Sequence, residues 1–560
     1  MDTKNSRCYL STLARMENKD TPSIHTEVTM KLIKDIELGY ADAENYKRRE
    51  NKDLLNRIFI RDSHLDELCK PNISFLIGEK GTGKTAYSIY ISNNNYKNTS
   101  ANINYVRETE YQKFISLKKD KHLTLSDFPS IWKVILYLLI AKQVKDKEGV
   151  ISKVLNFKKF YALNSAIDEY YASAFSPEII QALNFIQESK FAAELLHKYA
   201  VFEGENRHSI TFSESRFQVN LLYIQKQFEN AFHQIRLNQN HILFIDGIDI
   251  RPSSIPYEEY LECIKGLASA IWEMNNDFFP SIKGGKGRMR VVLLIRPDIF
   301  ESLGLQNQNT KIRDNAVFLD WRTEYNAYRN SNLFEVVDHM LGGQQSPISD
   351  KGVAWDHYFP WNSPNVYEQD LGPSSFINFL RWSYYRPRDI LTMLQLLRSN
   401  TNGDKKKAFF LSSDFDNPHF QREYSNYLLG EVKDHLSFYY GPDHYEIFLK
   451  FFEYLRGKDS FDYSFYTTAF NELEKHIKSI SADKPKFMAT PNDFLQFLFG
   501  LNVICYIEQT EENKPFIHWC FRDRNYANIS PKVKSDVKYQ VFYGLAKALN
   551  VGKKFKTKQA

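Results

Sequence analysis

The sequence predicts an α/β fold in which a parallel sheet is covered by helices on both faces. The prediction depends on three short apolar runs, which are Ile73–Ile77, His241–Ile245 and Arg290–Ile295. Segments with helical periodicity separate these runs. A fourth candidate strand is Ala316–Leu319. Short runs that are apolar throughout are typical of strands buried on both faces. Ligands bind at the carboxyl ends of such strands, so functional residues are expected there.

Composition narrows the class of protein. A chain of 560 residues predicts about three domains. Its 43% hydrophobic content indicates a globular protein, and its net charge of +5 is too small for its size to indicate nucleic-acid binding by itself. The 5 cysteines form no C-x-x-C pair, which argues against a disulfide framework or a zinc site. No signal-peptide core or bilayer-length apolar run is present, so we expect a cytoplasmic protein without membrane contact.

Periodicity divides the chain into four parts. Residues 1–51 are polar and predict an N-terminal arm or helix. Residues 52–325 contain the four apolar runs and form the predicted α/β core, interrupted by a large helical insertion at about 100–236. Within that insertion, apolar residues recur at spacings of three and four in Ile131–Gln143, Pro177–Tyr199 and Phe217–Leu237.

The last two parts are a helical lid and a C-terminal domain. Residues 326–400 predict a lid with helices at Leu333–Met340 and Phe376–Leu397, separated by a Pro-, Gly- and Ser-rich loop. Residues 401–560 predict a winged-helix-like domain with a basic tail. Its predicted helices are Tyr445–Leu455, Tyr463–Ile480 and Asp493–Phe499, and its predicted hairpin strands are Asn502–Ile507 and Phe516–Phe521.

A glycine-rich stretch follows the first apolar run directly. It extends from Gly78 to Thr85 and fits G-x-x-x-x-G-K-[ST]. In such a P-loop, backbone N–H groups surround a phosphate, and the next helix adds the positive end of its dipole. We expect Lys84 to act on the β- and γ-phosphates and the Thr85 hydroxyl to hold Mg²⁺. The predicted nucleotide-binding residues are Gly78, Glu79, Lys80, Gly81, Thr82, Gly83, Lys84, Thr85 and Ala86.

The alternative interpretation of this stretch is an ordinary glycine-rich turn between a strand and a helix. The apolar strand before it and the helix-compatible residues Ala86–Ile91 after it favour the phosphate loop. The sequence therefore predicts a P-loop NTPase core that takes ATP and Mg²⁺ as its cofactors.

Two carboxylates follow the second apolar run. Asp246 is expected at the end of a strand neighbouring the phosphate loop, where it would hold Mg²⁺. Asp249 is expected to polarise the water that attacks the γ-phosphate. An ordinary Asp-Gly turn after a strand is the alternative.

Several cations are candidates for contacts with the phosphates. Arg296 ends the third apolar run and would lie beside the γ-phosphate, unless it is a surface arginine in a turn closed by proline. Arg386 and Arg388 would bring a cation from the lid, unless they only begin a helix. Lys311 and Arg313 mark where a neighbouring subunit would receive an arginine finger.

With these residues identified, the chain resembles the AAA-related ATPases of the STAND and KAP groups. Phe244–Asp249 is similar to their acidic motif hhhhDGxD, and Leu294–Pro297 is similar to their strand-end sensor arginine followed by proline. Arg386–Leu391 resembles their lid-helix signature. A bacterial family of this type runs from a Gly-x-Ala-like segment, here Gly39–Ala43, to a C-terminal winged helix.

This resemblance implies a role for the protein. Such ATPases occur in bacterial conflict and phage-defence loci, which implies an oligomeric, nucleotide-driven switch or assembly platform that works with a separate effector. Two departures matter. Ile250 stands where an acidic residue often follows the second aspartate, and no nuclease, protease or TIR-like motif is visible.

Two other functions stay open at this point. A DNA-engaged loader or motor would grip a duplex with the winged helix, but Asn492–Phe499 contains no lysine or arginine. Arg522, Arg524 and the lysine-rich tail leave nucleic acid as a possible partner. A scaffold that binds ATP without turnover is disfavoured by the set Lys84, Thr85, Asp246 and Asp249.

Overall fold

The computed structural model describes residues 29–106, 128–148, 162–163, 165–166, 214–252, 255–305, 307–364, 372–401, 404–511, 514–525 and 527–552. It confirms the α/β prediction. Five parallel strands form one sheet in the order β2-β3-β4-β1-β5. The strands are β1 (Phe75–Ile77), β2 (Thr99–Tyr105), β3 (Asn240–Asp246), β4 (Met289–Ile295) and β5 (Ala316–Phe318).

The sheet separates two apolar layers. Leu76 of β1 packs into one layer, whereas its neighbours Phe75 and Ile77 pack into the other. Successive strand residues point to opposite faces, so both faces of the sheet are buried under helices. In the described part of residues 52–315, the α-helices include Lys52–Ile58, Ser63–Leu68, Lys84–Asn94, Phe128–Glu148, Glu214–Gln234, Tyr257–Glu273, Pro297–Ser302 and Gln308–Asn315.

The strand that ends in Asp246 was expected to neighbour the strand that precedes the phosphate loop, and it does not. That strand, β3, does not neighbour β1; instead β4 lies between them and pairs with both. The other edge of β1 pairs with β5. Both hydrogen-bonding edges of β1 are therefore occupied, and β3 reaches the site as the next strand beyond β4.

The predicted helical insertion begins with a strand. Residues 99–105 form β2, which pairs in parallel with β3 at one edge of the sheet. Asn102 and Asn104 interrupt its apolar pattern, which is why its strand signal is weak in the sequence. The predicted helices at Ile131–Gln143 and Phe217–Leu237 are present with shifted ends, and Pro177–Tyr199 lies outside the described residues.

Residues 326–400 are helical but differ in detail from the prediction. The helices are Asn332–Gly342, Val353–Tyr358, Phe376–Trp382 and Pro387–Ser399, and the second lies inside the predicted loop. The predicted Phe376–Leu397 helix is broken, because Tyr385 has a left-handed φ of 56° and Pro387 begins a new helix. We call Pro387–Ser399 the Arg388 helix.

A long helix that the sequence analysis did not identify follows. Pro418–Tyr439, which we call the brace helix, buries Phe420, Tyr424, Leu428, Val432 and Leu436 at every fourth position. Helices Ser412–Phe415, Pro442–Tyr454, Tyr463–Ser479, Pro491–Gly500 and Cys520–Asp523 complete the C-terminal part of the described chain.

A second, antiparallel sheet lies among these C-terminal helices in the order β6-β9-β7-β8. The predicted hairpin is present, although its second strand ends at His518 and a short helix replaces the rest. The four strands are β6 (Ser460–Phe461), β7 (Ile504–Gln509), β8 (Pro515–His518) and β9 (Lys538–Val541).

The N-terminal segment, residues 29–51, is the described part of the predicted N-terminal arm or helix and contains short 3₁₀ turns. These turns are Ile33–Asp35, Ala43–Lys47 and Arg49–Asn51. The segment is bound to the Arg388 helix, because Gln395 Nε2 donates to Gly39 O at 2.9 Å and Arg398 donates to Ile36 O. Among the described residues, no helix has both the length and the apolar character needed to cross a membrane.

Candidate functional site

The glycine-rich stretch forms the loop between β1 and the helix Lys84–Asn94. Gly81 and Gly83 have left-handed φ angles of 89° and 98°, which residues with a Cβ rarely adopt. The helix starts directly after the loop, so the N–H groups of its first turn have no carbonyl partner within the helix. The loop and helix start therefore present backbone donors to one cavity, as an anion site requires.

Lys84 lies over this loop and is almost fully buried, with 7% of its surface exposed. Its Nζ donates to Gly78 O at 2.7 Å and to Glu79 O at 3.2 Å. The same nitrogen lies 3.6 Å from Asp249 Oδ2. Burial lowers the pKa of Lys84, while the charges of Asp249 and Asp246 oppose that effect. Lys84 is thus a buried cation beside two carboxylates.

Thr85 and Asp246 are joined directly. The Thr85 hydroxyl donates to Asp246 Oδ2 at 2.7 Å, and Gly247 N donates to Asp246 Oδ1 at 2.8 Å. Burial raises the pKa of Asp246, and the Thr85 hydrogen bond counteracts it. A hydroxyl and a carboxylate are the hard oxygen ligands that Mg²⁺ prefers.

A cation at this position would need further ligands. In the part of the chain that the structure describes, no group of 3 or more His, Cys, Asp or Glu side chains could hold a metal ion. Mg²⁺ usually keeps several waters and combines one or two protein ligands with substrate phosphates. Thr85 and Asp246 fit that kind of site.

Asp249 carries an unused acceptor. Its Oδ1 is buried and has no hydrogen-bond partner among the described residues, whereas its Oδ2 faces Lys84. Buried polar atoms are normally paired, so an unpaired carboxylate oxygen on a residue that lines the cavity marks a functional candidate. Such an oxygen can accept a proton from a bound water.

These residues share one cavity of about 190 Å³. Its polar end is formed by residues 80–86 of the loop and helix start together with Asp246 and Asp249. Its apolar walls come from the N-terminal segment, the helix Lys52–Ile58, the helix Asn332–Gly342 and the Arg388 helix. Within those walls lie Tyr40, Ala41, Ala43, Tyr46, Leu55, Ile58, Phe59, Val336, Met340, Pro387 and Leu391.

Arg388 is the predicted arginine that lines this cavity. Its Nε donates to Ala41 O at 3.1 Å, and its backbone N donates to Gly81 O at 3.3 Å. A Cβ on Gly81 would lie 3.2 Å from the Arg388 Cβ, so the glycine also permits close approach of the Arg388 helix. Arg388 therefore joins the loop to the N-terminal segment.

Arg386 is placed behind the loop and does not line the cavity. Its Nε and Nη2 donate to Asp389 at 2.9 and 2.7 Å, and its Nη1 donates to Lys80 O at 2.9 Å. Arg386 thus holds the loop backbone through Lys80 O.

Arg296 directly follows the last residue of β4 and is paired with a carboxylate. It is 2% exposed, lies outside the cavity wall, and donates to Asp298 through Nε at 3.1 Å and Nη2 at 2.6 Å. Its charge still acts on the site, because it lowers the pKa of Lys84. Because Arg296 is buried, it is not the surface arginine of the alternative interpretation.

The two predicted receivers of an arginine finger lie elsewhere. Lys311 Nζ lies 4.5 Å from the centre of the Trp272 ring, and Arg313 pairs with its neighbour Asp314 at 2.9 Å. Neither residue lines the cavity.

Three contacts that sequence reasoning missed bind the loop to other parts of the chain. Trp321 Nε1 donates to Thr82 O at 3.1 Å, and Arg524 pairs with Glu79. Lys80 pairs with Asp434 and Glu431 of the brace helix. The every-fourth apolar spacing of the brace helix was a readable signal, but nothing in the sequence linked its acidic residues to the loop.

Comparison with protein-family models, with curated proteins and with solved structures found no match in any of the three.

Proposed function

We propose that this chain binds ATP with Mg²⁺ and hydrolyses it, and that hydrolysis drives a conformational switch. The observation that carries the proposal is the convergence of Lys84, the Thr85–Asp246 pair and Asp249 on the polar end of one cavity. Each of these residues supplies a part that phosphoryl transfer needs.

The residues that line the cavity support a nucleotide as the ligand. The triphosphate would lie over the loop, within reach of its N–H groups and of Lys84. The base and ribose would lie toward the apolar walls formed by the N-terminal segment and the Arg388 helix. Thr85 and Asp246 would hold Mg²⁺, which neutralises charge on the phosphates when bound.

The reaction follows from these positions. Asp249 orients a water, and its carboxylate accepts the proton of that water while the water oxygen bonds to the γ-phosphorus. The bond from that phosphorus to the bridging oxygen breaks, giving ADP and inorganic phosphate. Lys84 stabilises the charge that spreads over the γ-phosphate. Because Ile250 carries no charge, Asp249 is the carboxylate that we assign to the water.

The switch rests on contacts around the loop. Lys80 binds the brace helix, and Glu79 binds Arg524. A movement of the loop on phosphate binding or release would therefore move these C-terminal residues. In keeping with the resemblance to STAND and KAP ATPases, we propose an oligomeric platform for bacterial phage defence that acts with a separate effector. The winged-helix interpretation of residues 401–560 belongs to the same proposal.

DNA engagement is the weaker alternative. Arg524 is 8% exposed and pairs with Glu79, while Arg522 lies over the rings of Tyr325 and Tyr385. Two of the cations that favoured DNA therefore make contacts within the chain.

The deciding experiment is phosphate release by purified protein with Mg²⁺ and ATP. We expect Lys84→Ala and Asp249→Asn each to lower kcat at least about 100-fold. Lys70→Ala, at an exposed lysine of the same core, is the matched control and should keep full turnover. Equal turnover in Lys84→Ala and in the parent would refute the ATPase assignment.

Assembly has its own test. The particle mass is measured by light scattering with no nucleotide, with ATP and with ADP, using Asp249→Asn to prevent turnover. We expect a larger particle with ATP than with ADP. A monomer under all three conditions would exclude switching by self-assembly.

A further inference from the structure

The Asp298 carboxylate is shared between the core and the brace helix. Arg296 donates to both of its oxygens, at 3.1 Å to Oδ1 and 2.6 Å to Oδ2. The Tyr439 hydroxyl also donates to Oδ2, and His435 Nε2 lies 3.2 Å from the same atom. Burial raises the pKa of Asp298, but Arg296 and His435 outweigh it and hold that pKa well below its ordinary value.

The contact at Asp298 joins the end of β4, in the core that carries the phosphate loop, to the brace helix. Arg296 follows the last residue of β4, a strand that pairs directly with β1. His435 and Tyr439 belong to the C-terminal end of the brace helix, and the Phe438 ring lies 4.8 Å from the Arg296 guanidinium. One carboxylate therefore links a strand end of the core to the brace helix.

Arg296 is close enough to the phosphate site for its charge to matter there. Ile295, the residue directly before Arg296, accepts through its backbone O from Gly78 N at the start of the phosphate loop, at 3.2 Å. Burial lowers the pKa of Arg296, but the charges of Asp298 and Asp249 oppose that effect. A γ-phosphate between Lys84 and Asp249 would bring a larger negative charge to the same neighbourhood than Asp249 alone. Arginine binds carboxylate and phosphate oxygens with similar geometry, so the two anions compete for one guanidinium.

We propose that Asp298 is a positioning residue that competes with the γ-phosphate for Arg296 and reports the outcome to the brace helix through His435 and Tyr439. The inference rests on the proposed ATP site. When Arg296 turns toward the γ-phosphate, Asp298 loses two of its donors and relies on His435 and Tyr439. When the γ-phosphate is absent, Arg296 returns to Asp298. ADP lacks the competing group, so only ATP shifts this contact.

Two substitutions with opposite expected effects test the competition. Asp298→Asn removes the charge that holds Arg296, so ATP affinity should rise about tenfold while ADP affinity stays the same. Tyr439→Phe removes one donor from Asp298 and leaves its charge more available to Arg296. ATP affinity should then fall about threefold, again with no change for ADP. A purely structural role would weaken both nucleotides together.

Affinities are measured by calorimetry with Mg²⁺ in an Asp249→Asn parent, so that ATP is not consumed. Hydrogen exchange of residues 431–439 is followed with ATP and with ADP, and the ATP-specific change should disappear in Asp298→Asn. Tyr463→Phe, which removes an exposed hydroxyl of another helix, is the control. Thermal unfolding confirms that each variant is folded. If Asp298→Asn does not fold, the ATP and ADP affinities of Tyr439→Phe alone test the competition.

The outcomes separate the two proposals. If the parent binds no ATP, the proposed function and this inference both fail. If the parent binds ATP but Tyr439→Phe shifts ATP and ADP equally, or Asp298→Asn weakens ATP, the competition is refuted and the ATP site stands.

Discussion

The Thr85 hydroxyl donates a 2.7 Å hydrogen bond to Asp246 Oδ2, although the two residues are 161 positions apart in the chain. Thr85 lies in the first turn of the helix after the glycine loop, and Asp246 ends β3. The strand before the loop, β1, is not adjacent to β3, because β4 lies between them. The hydrogen bond therefore holds the start of the helix after the loop against the carboxyl end of β3, which is the second strand from β1 in the sheet.

Asp246→Asn should separate stability from activity. Burial raises the pKa of Asp246, so an ionised carboxylate is unfavourable there, and a neutral amide should leave the melting temperature equal or higher. Mg²⁺-dependent phosphate release should fall at least about 100-fold. Scanning fluorimetry and a phosphate assay measure the two effects, with Thr85→Ser as the variant that keeps the hydroxyl. A clear loss of melting temperature with retained turnover would contradict this.

The Glu79–Arg524 pair predicts an asymmetry between its two partners. Arg524 is 8% exposed and Glu79 is 21% exposed, so an unpaired Arg524 is the more costly to leave behind. Burial already lowers the pKa of Arg524 to about 10. Glu79→Gln should reduce the free energy of unfolding by about 3–5 kcal/mol.

Arg524→Met should reduce the free energy of unfolding by less than Glu79→Gln does, because the group that it leaves unpaired, Glu79, can be hydrated by water. Urea denaturation of both single variants and of the double variant measures the difference and the coupling between them. A larger loss for Arg524→Met than for Glu79→Gln would show that its hydrogen bond to Ile529 O, at 2.8 Å, outweighs the ion pair.

His435 should make stability depend on pH. Burial lowers its pKa, and Arg296 and Arg386 add to that effect, while the nearby Asp298 opposes it. The unfolded chain then binds a proton at a pH where the folded chain does not, at about 6.5 for an ordinary histidine. The contribution of His435 is therefore present above that pH and is lost as the pH falls toward the folded pKa.

His435→Gln should make stability less dependent on pH below about 6.5. Urea midpoints at a series of pH values provide the measurement, and His419→Gln, at an exposed histidine of the same helix, is the control. Parallel pH curves for the parent and His435→Gln would exclude a depressed pKa for this residue.

Gly81→Ala should affect both stability and nucleotide binding. The left-handed φ costs an alanine about 1–2 kcal/mol, and the new Cβ would also crowd Arg388. Gly304 is a matched control, because its φ is 58° and no atom lies within 4 Å of an added Cβ. Calorimetry should show weaker ATP binding for Gly81→Ala alone, whereas both variants lose stability in denaturation. Equal ATP binding by the two variants would argue against the close approach of Arg388.

The strands and the loop were the parts most accessible from the sequence. Four apolar runs match β1, β3, β4 and β5, because buried parallel strands need apolar residues on both faces. Motif spacing also predicted that Lys84, Thr85, Asp246 and Asp249 would meet, and all four line one cavity. Local pattern was sufficient there, since each of these residues lies close to a strand end or a helix start.

The arginines could not be placed in this way. Arg386, Arg388 and Arg296 look alike in sequence, since each adjoins a proline at a helix start. Which one reaches the cavity depends on pairing: Asp389 engages Arg386 and Asp298 engages Arg296, whereas Arg388 lines the cavity. Such pairing is a property of tertiary structure.

The brace helix spans about 33 Å, at 1.5 Å per residue. Glu431, which faces the phosphate loop, lies about 12 Å from Tyr439 at one end and about 20 Å from Pro418 at the other. The far half carries the C-terminal part of the described chain, since Arg422 donates to Lys547 O and Ser425 accepts from Ala548 N, both at 2.8 Å. If the helix pivots at Glu431 as a rigid lever, a displacement at Tyr439 is magnified about 1.6-fold at Pro418.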